Sequence, residues 1–189
     1  IDVCQAFHAV GKPVVVIINS GSVIETASWK SYPDAIICAW QPGEEGGNSV
    51  ADIMTGKVNP SGKLTMTWPI AATDHPSTRN FPGLVDFYSY QNERSGGRQM
   101  RNYDYTNHEE DIYVGYRYFD TFNKEVSYPF GVGLSYTTFQ YAQPKVKIGS
   151  DVITAQVTVK NTGDVAGKEV VQLYVTAPKG QLEKPAQEL

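Results

Sequence analysis

The apolar positions Val3, Ala6, Phe7 and Val10 fall at i, i+3, i+4 and i+7, one face of a helix running from Asp2 to Val10. Gly11 ends that period and Pro13 keeps it from resuming. The pattern then changes to an unbroken β-branched run, Pro13-Val14-Val15-Val16-Ile17-Ile18, which reads as a strand buried on both faces, as parallel sheets require. Asn19-Ser20-Gly21-Ser22 follows as a loop, and Val23 to Lys30, carrying Trp29, as a short helix. After the turn Tyr32-Pro33-Asp34, a second apolar run predicts a second strand, Ala35 to Ala39. That run breaks at Trp40 into Gln41-Pro42-Gly43-Glu44-Glu45-Gly46-Gly47-Asn48, a polar, glycine-rich approach to another helix. This helix would bury Val50, Ile53 and Met54 and stop at Gly56. Strand–helix repeats in so short a stretch predict an α/β layer with parallel strands.

Beyond the turn Asn59-Pro60-Ser61-Gly62, Lys63 to Trp68 alternates polar and apolar, which suits an edge strand closed by Pro69. From Ile70 to Asn107 no period is sustained, and a stretch of that kind is either functional or wrapped over another surface. Ile112 to Asp120 is strand-like and aromatic, and Tyr128 to Tyr136 is a glycine-punctuated connection. After Thr138 the character shifts. Ile153, Ala155, Val157 and Val159 alternate with Val152, Thr154, Gln156, Thr158 and Lys160, Asn161 to Asp164 forms a turn, and Glu169 to Ala177 reads as a further strand. This is antiparallel β-sandwich material, but it supplies only a few of the roughly seven strands a sandwich needs. The boundaries this implies are an α/β part at 1–110, a linker at 111–137 and a β-rich part at 138–189.

Composition narrows the classes. With 41% hydrophobic and 19% charged residues the 189-residue chain reads as globular. The net charge of −4 comes with no basic cluster, which disfavours a nucleic-acid partner. No run approaches the roughly 18 apolar residues of a membrane span, so no membrane partner is expected. No signal-peptide pattern opens the chain. It starts at Ile1 inside an expected helix, as a piece of something longer would. Tyrosine is abundant, at 12 residues, a weak pointer to a carbohydrate-facing or β-rich surface. Cys4 and Cys38 match no zinc or redox spacing and are expected to be buried thiols.

The candidate chemistry centres on Glu44 and Glu45, which follow a predicted strand where open α/β folds place their sites. Adjacent residues on a helix point about 100° apart, so the two cannot flank one bond as acid and base, and acidic residues are in any case favoured in a first helical turn. Gly43, Gly46 and Gly47 could cradle an anion, although a Walker lysine and a G-x-G-x-x-G are both absent. His108-Glu109-Glu110-Asp111 and Asp74-His75 lack the second histidine of H-E-x-x-H, so no metal or other cofactor is expected. Ser20 and Ser22 lack the flanking pattern of a nucleophile elbow. Arg117, among Tyr113, Tyr116 and Tyr118, reads as a structural clamp between two domains.

Several of these segments, taken in order, resemble glycoside hydrolase family 3, the β-glucosidase and β-xylosidase type. They are Pro13-Val14-Val15-Val16 with Asn19-Ser20-Gly21-Ser22 and Trp29, then Ala39-Trp40-Gln41-Pro42-Gly43-Glu44-Glu45-Gly46-Gly47 with Ala51-Asp52. Gly56, Asn59-Pro60-Ser61-Gly62-Lys63-Leu64, Thr67-Trp68-Pro69 and Phe81-Pro82-Gly83 follow. Tyr113-Val114-Gly115-Tyr116-Arg117-Tyr118 and Pro129-Phe130-Gly131-Val132-Gly133-Leu134-Ser135-Tyr136 complete the series. The resemblance implies a partial α/β sandwich with parallel strands, followed by an incomplete fibronectin-III-like β-sandwich segment at 138–189. It implies the C-terminal part of a retaining exo-acting β-glycosidase, acting on oligosaccharides or β-glucosides beside an N-terminal barrel domain. The family's nucleophilic aspartate belongs to that barrel and its acid/base glutamate precedes the equivalent of Ile1, so no catalytic residue is expected in this chain. Trp40 and Glu45 are the expected substrate-binding residues, at the edge of the site. Asp111 stands where many members carry glycine, so that turn is expected to differ locally. A periplasmic or secreted bacterial location is implied by the family alone. The alternative reading is a non-catalytic carbohydrate-binding or scaffolding module. Either way, unpaired strand edges predict self-association, or else a disordered segment after about Tyr141.

Overall fold

The computed structural model describes residues 1–79, 108–178 and 180–189. Most of the patternless stretch, with Phe81-Pro82-Gly83, lies outside these residues. The chain is a small mixed α/β structure with a few short sheets, divided into two compact units. The first comprises Ile1–Ile24, Tyr32–Thr65 and Phe130–Leu173, and the second Glu25–Ser31, Met66–Pro129 and Tyr174–Leu189.

In the first unit, helix α1 (Asp2–Ala9) precedes strand β1 (Val15–Ile18), which pairs in parallel with β2 (Ala35–Cys38) in the register Val15–Ala35 to Ile18–Cys38. The expected parallel pair therefore forms. One carboxylate aligns it: Asp34 Oδ2 accepts from Val14 N at 2.7 Å and contacts His8 Nε2 at 2.9 Å. The Val14 amide first, and then the His8 ring, hold the Asp34 carboxyl below its ordinary pKa. Burial departs from expectation. Ile18 is buried, but Val15 and Ile17 are 39% and 43% exposed, so β1 is not covered on both faces. On α1 the stripe Val3, Phe7 and Val10 is exposed and Cys4 is the buried residue. Helix α2 (Gly46–Met54) half-buries Val50 and Ile53, whereas Met54 is exposed. An apolar stripe records which face is oily; it does not record what lies against it.

The same unit contains the hairpin β5 (Phe139–Ile148) and β6 (Ile153–Asn161), antiparallel, with a bulge between Ala142 and Lys145 where Gln143 takes φ +53°. The alternating stretch is thus a strand, but β6 is exposed along its whole length, a two-stranded ribbon with both faces open. The expected strand from Glu169 to Ala177 does not form; Val175 makes a single antiparallel bridge with Glu188. A second structural knot joins distant segments. Asn59 Oδ1 accepts from Ser135 Oγ at 2.9 Å and Tyr136 N at 2.8 Å, while its Nδ2 donates to Ala166 O at 3.0 Å. Leu64 N donates to Val132 O and Gly131 N to Leu64 O, both at 2.8 Å. The stretches Asn59-Pro-Ser-Gly-Lys-Leu64 and Phe130 to Tyr136 therefore bind each other. Only a trace of the expected strand at Lys63 to Trp68 remains: Trp68 alone, with Pro69, enters a sheet.

That sheet belongs to the second unit, where β3 (Trp68–Pro69) pairs antiparallel with β4 (Val126–Tyr128). Among the described residues its buried apolar side chains are Trp68 and Phe119, each 2% exposed, with Trp68 edge-on to Tyr128 at 6.1 Å. Thr26 is fully buried and its hydroxyl meets Ser127 Oγ at 2.7 Å. Lys30 Nζ donates to Ser127 O at 2.7 Å and lies 4.8 Å from the Tyr128 ring centre. The expected helix from Val23 to Lys30 is instead a turn. The Glu25 carboxylate accepts from Ser28 N at 2.8 Å and Ser28 Oγ at 2.6 Å, as a cap does, but only one turn follows, closed by Lys30 N donating to Thr26 O at 2.8 Å. The expected strand from Ile112 to Asp120 is also corrected, to a loop and helix α3 (Tyr116–Thr121). Gly115, at φ +57° and ψ −134°, adopts a conformation that only glycine enters freely and turns the chain out of an extended path. The Tyr118 and Phe122 rings then pack at helical i, i+4 spacing, 5.1 Å apart and tilted by 52°.

Candidate functional site

A cleft of about 570 Å³ opens at the C-terminal ends of β1 and β2, in front of the first turn of α2. Ile17 and Asn19 line it from β1 and its loop, Ala39 and Gln41 from the end of β2, and Gly43, Gly46 and Gly47 from the approach to the helix. The loops after the two strands meet here: a methyl group at Gly21 would sit 2.9 Å from Gln41 Nε2, at the tip of the Gln41 side chain. Gly43, at φ +74°, reverses the chain into α2, and any side chain at Gly46 would strike the Pro42 ring. The result is an open pocket whose lining combines apolar side chains and glycines with the side-chain amides of Asn19 and Gln41. It can accept hydrogen bonds from, and donate them to, a neutral polar ligand. Its lining side chains supply no acid, base or nucleophile.

Trp40 and Glu45 flank this lining without belonging to it. Trp40 is half-buried and takes φ +53°, a left-handed conformation that is rare for a bulky residue. Glu45 is the residue before α2, and its carboxylate accepts from Asn48 Nδ2 at 2.6 Å. Glu44 and Glu45 thus stand outside the helix rather than within its first turn, and no side chain caps that turn. Asn19 and Gln41, which line the cleft, were not singled out in the sequence. The signal that would have found them is their position, one and three residues past strand ends in a parallel layer.

The remaining candidates have local duties. Ser20 Oγ donates to Ser22 O at 2.8 Å and accepts from Ser22 N at 3.3 Å, closing a turn. Asp74 Oδ2 accepts from Ala71 N at 2.8 Å, and His75 stands edge-on to Phe119 at 5.4 Å, where burial lowers its pKa against the opposing pull of Asp74. His108 Nδ1 is 3.5 Å from Glu110 Oε1. Among the described residues no group of three or more His, Cys, Asp or Glu side chains is placed to hold a metal ion. Asp111 takes a left-handed conformation, at φ +48°, which aspartate tolerates better than most residues. Cys4 and Cys38 are free; Cys4 is buried, Cys38 is half-buried, and burial raises the Cys38 thiol pKa. Among the described residues no helix is long and apolar enough to cross a membrane.

Comparison with known proteins matches residues 1–136 to the glycosyl hydrolase family 3 C-terminal domain. The chain is 43% identical over 196 aligned residues to β-glucosidase A of Butyrivibrio fibrisolvens, covering 93% of this chain and 21% of that protein. It is 38% identical over 190 residues to an exo-α-(1→6)-L-arabinopyranosidase of Bifidobacterium longum, covering 100% of this chain and 23% of the relative. Among solved structures, β-glucosidase 3B of Thermotoga neapolitana, in complex with α-D-glucose, superposes with a TM-score of 0.84 at 46% identity, over 98% of this chain and 24% of that one. The chain spans less than a quarter of the length of these relatives. The strand–loop–helix built from Ala39 to Met54, the paired segments around Asn59 and Ser135, and these likenesses agree: the chain belongs to glycoside hydrolase family 3, with residues 1–136 matching the family's C-terminal domain.

Proposed function

We propose that the chain is the non-catalytic C-terminal portion of a retaining, exo-acting β-glycosidase. The observation that carries this reading is the cleft, which sits where an α/β layer presents its site yet, among the described residues, is lined by no ionisable side chain. Retaining hydrolysis needs two carboxylates about 5–5.5 Å apart. In this reading the nucleophilic aspartate comes from an N-terminal barrel and the acid/base glutamate from a segment upstream of β1. Trp40 and Glu45 border the sugar site in the assembled enzyme, Trp40 with its strained backbone and Glu45 through its bond to Asn48. The substrate is an oligosaccharide or β-glucoside. The relatives' names include both a β-glucosidase and an arabinopyranosidase, so sugar choice is assigned to the upstream part. The domain boundaries proposed are 1–110, a linker at 111–137, and a fibronectin-III-like segment from 138, supported by the family match ending at residue 136 and the hairpin starting at Phe139. Secretion or periplasmic residence goes with this family assignment.

The purified 189-residue chain is expected to release no nitrophenol from an aryl β-glucoside. Turnover that disappears when Glu44 or Glu45 is changed to glutamine would overturn the proposal. The second reading, a carbohydrate-binding or scaffolding module, is favoured by the amide-lined pocket; saturable glucose binding by this chain alone, without turnover, would support it instead. For the enzyme reading, Trp40→Ala in the intact protein should raise KM, and an unchanged KM would remove Trp40 from the site. The open edges and faces of the β5–β6 ribbon further imply self-association. On a sizing column the chain should run above its 20.8 kDa monomer mass, and a monodisperse monomer would refute that.

A further inference from the structure

Helix α3 has only six residues and no side-chain cap at Gly115, too short to persist by its own hydrogen bonds. One face is fixed by Phe119, which is buried. The polar side chains form two adjoining i, i+4 rows, Tyr116 with Asp120 and Arg117 with Thr121. Each of these four meets one residue of the chain's C-terminal end. Ala186 N donates to Thr121 Oγ1 at 2.8 Å, Gln187 Nε2 donates to Asp120 Oδ2 at 2.9 Å, Glu188 Oε1 lies 3.6 Å from Arg117 Nε, and Leu189 N donates to the Tyr116 hydroxyl at 2.8 Å. The segment therefore runs antiparallel to the helix. The lengths agree, because four extended residues span about 10 Å from first to last and the helix rises about 7.5 Å from Tyr116 to Thr121. At its upstream end Tyr113 OH donates to Glu183 Oε2 at 3.2 Å, and Pro185 is buried. Val175 and Glu188 exchange both backbone hydrogen bonds, at 2.7 and 3.0 Å.

We propose that the polar face of α3 is a docking platform for the chain's own extended C-terminal segment, Glu183 to Leu189, which straps the helix in place. The Tyr116-Arg117 pair thereby acquires a partner inside its own unit. Arg117 faces this strap across the longer ion-pair distance to Glu188. The bonds are solvent-exposed, so the strap opens and closes at low free-energy cost relative to the core, and its opening releases the helix that carries Phe119.

Hydrogen exchange on the full chain tests this. Thr121→Val and Tyr116→Phe each remove one acceptor while keeping shape and ring. Each lost bond of this kind accounts for a few-fold change. The double variant should therefore exchange Glu188 N–H and the amides of Phe122 and Lys124, which donate to α3 carbonyls of Tyr118 and Phe119, about tenfold faster, with the β5–β6 amides unchanged. Leu182→Ala, at a side chain 77% exposed and outside the strap, should leave all of these rates alone. Unchanged exchange at Glu188 and α3 in the double variant would overturn the proposal, as would an equal acceleration by Leu182→Ala.

Discussion

Replacing Trp68 with alanine is expected to cost about 3–5 kcal/mol, the range for emptying a buried aromatic site. Trp68 is 2% exposed and edge-on to Tyr128. Its strand supplies little else to hold it, since β3 is Trp68 and Pro69 alone and the ladder to β4 is irregular between them. Packing, not the ladder, keeps these segments together. Large side chains below 2–3% exposure are few among the described residues, Trp68 and Phe119 being the aromatic ones, so the neighbours have little apolar mass with which to refill the hole. Against a total stability of about 5–15 kcal/mol for a domain, the loss should unfold the second unit at moderate urea. Far-ultraviolet circular dichroism during urea unfolding measures it. Trp68→Phe should lose clearly less, because a ring stays against Tyr128. A Trp68→Ala loss under about 1 kcal/mol, or equal losses for the two variants, would show that the ring does not hold the unit.

Local chemistry made some elements legible and hid others. The β-branched run at Val14 to Ile18 and the alternation after Val152 state their own conformation, because strand geometry is set residue by residue. Their environment is another matter: Val15, Ile17, Val157 and Val159 are apolar and exposed, and no period can tell a covered face from an open one. Around Tyr116 two local signals compete. Aromatic density favours a strand, while Gly115 and the Tyr118–Phe122 spacing favour a turn and a helix, and packing around Phe119 decides for the helix. At the site, the strand–loop–helix frame was readable from Ala39 onward, whereas Glu44 and Glu45, standing before α2, do not have the helical spacing on which their exclusion as a catalytic pair rested. The roles of Asn19 and Gln41 were not readable, since they depend on two loops meeting at Gly21. Contacts between segments far apart in the chain, such as Asn59 with Ala166 or Arg117 with Glu188, leave no trace in a single sequence.

Glu169→Leu, the second large effect, should destabilise the first unit by about 1–3 kcal/mol, because it leaves a largely shielded ammonium without its carboxylate. Lys63 Nζ lies 3.0 Å from Glu169 Oε1, and the two side chains are only 15% and 14% exposed. Lys63 also donates to Gly133 O at 2.7 Å, which satisfies one of its donors without neutralising its charge. This pair spans more than a hundred residues and ties the strand-like stretch after Asn59 to the region following the β5–β6 hairpin. A surface bridge would contribute at most about 1 kcal/mol, and the low exposure is what moves the expected value upward. The sign of the double variant separates the two cases. Lys63→Met with Glu169→Leu removes both charges and fills the site with apolar atoms of similar volume, so it should recover most of the loss. High salt should change the single-variant difference little, since a shielded pair is screened less than an exposed one. If Glu169→Leu costs less than about 1 kcal/mol, or the double variant is as unstable as the single, the pair is a surface contact and the hold on this unit rests with Asn59 and the Leu64–Val132 ladder.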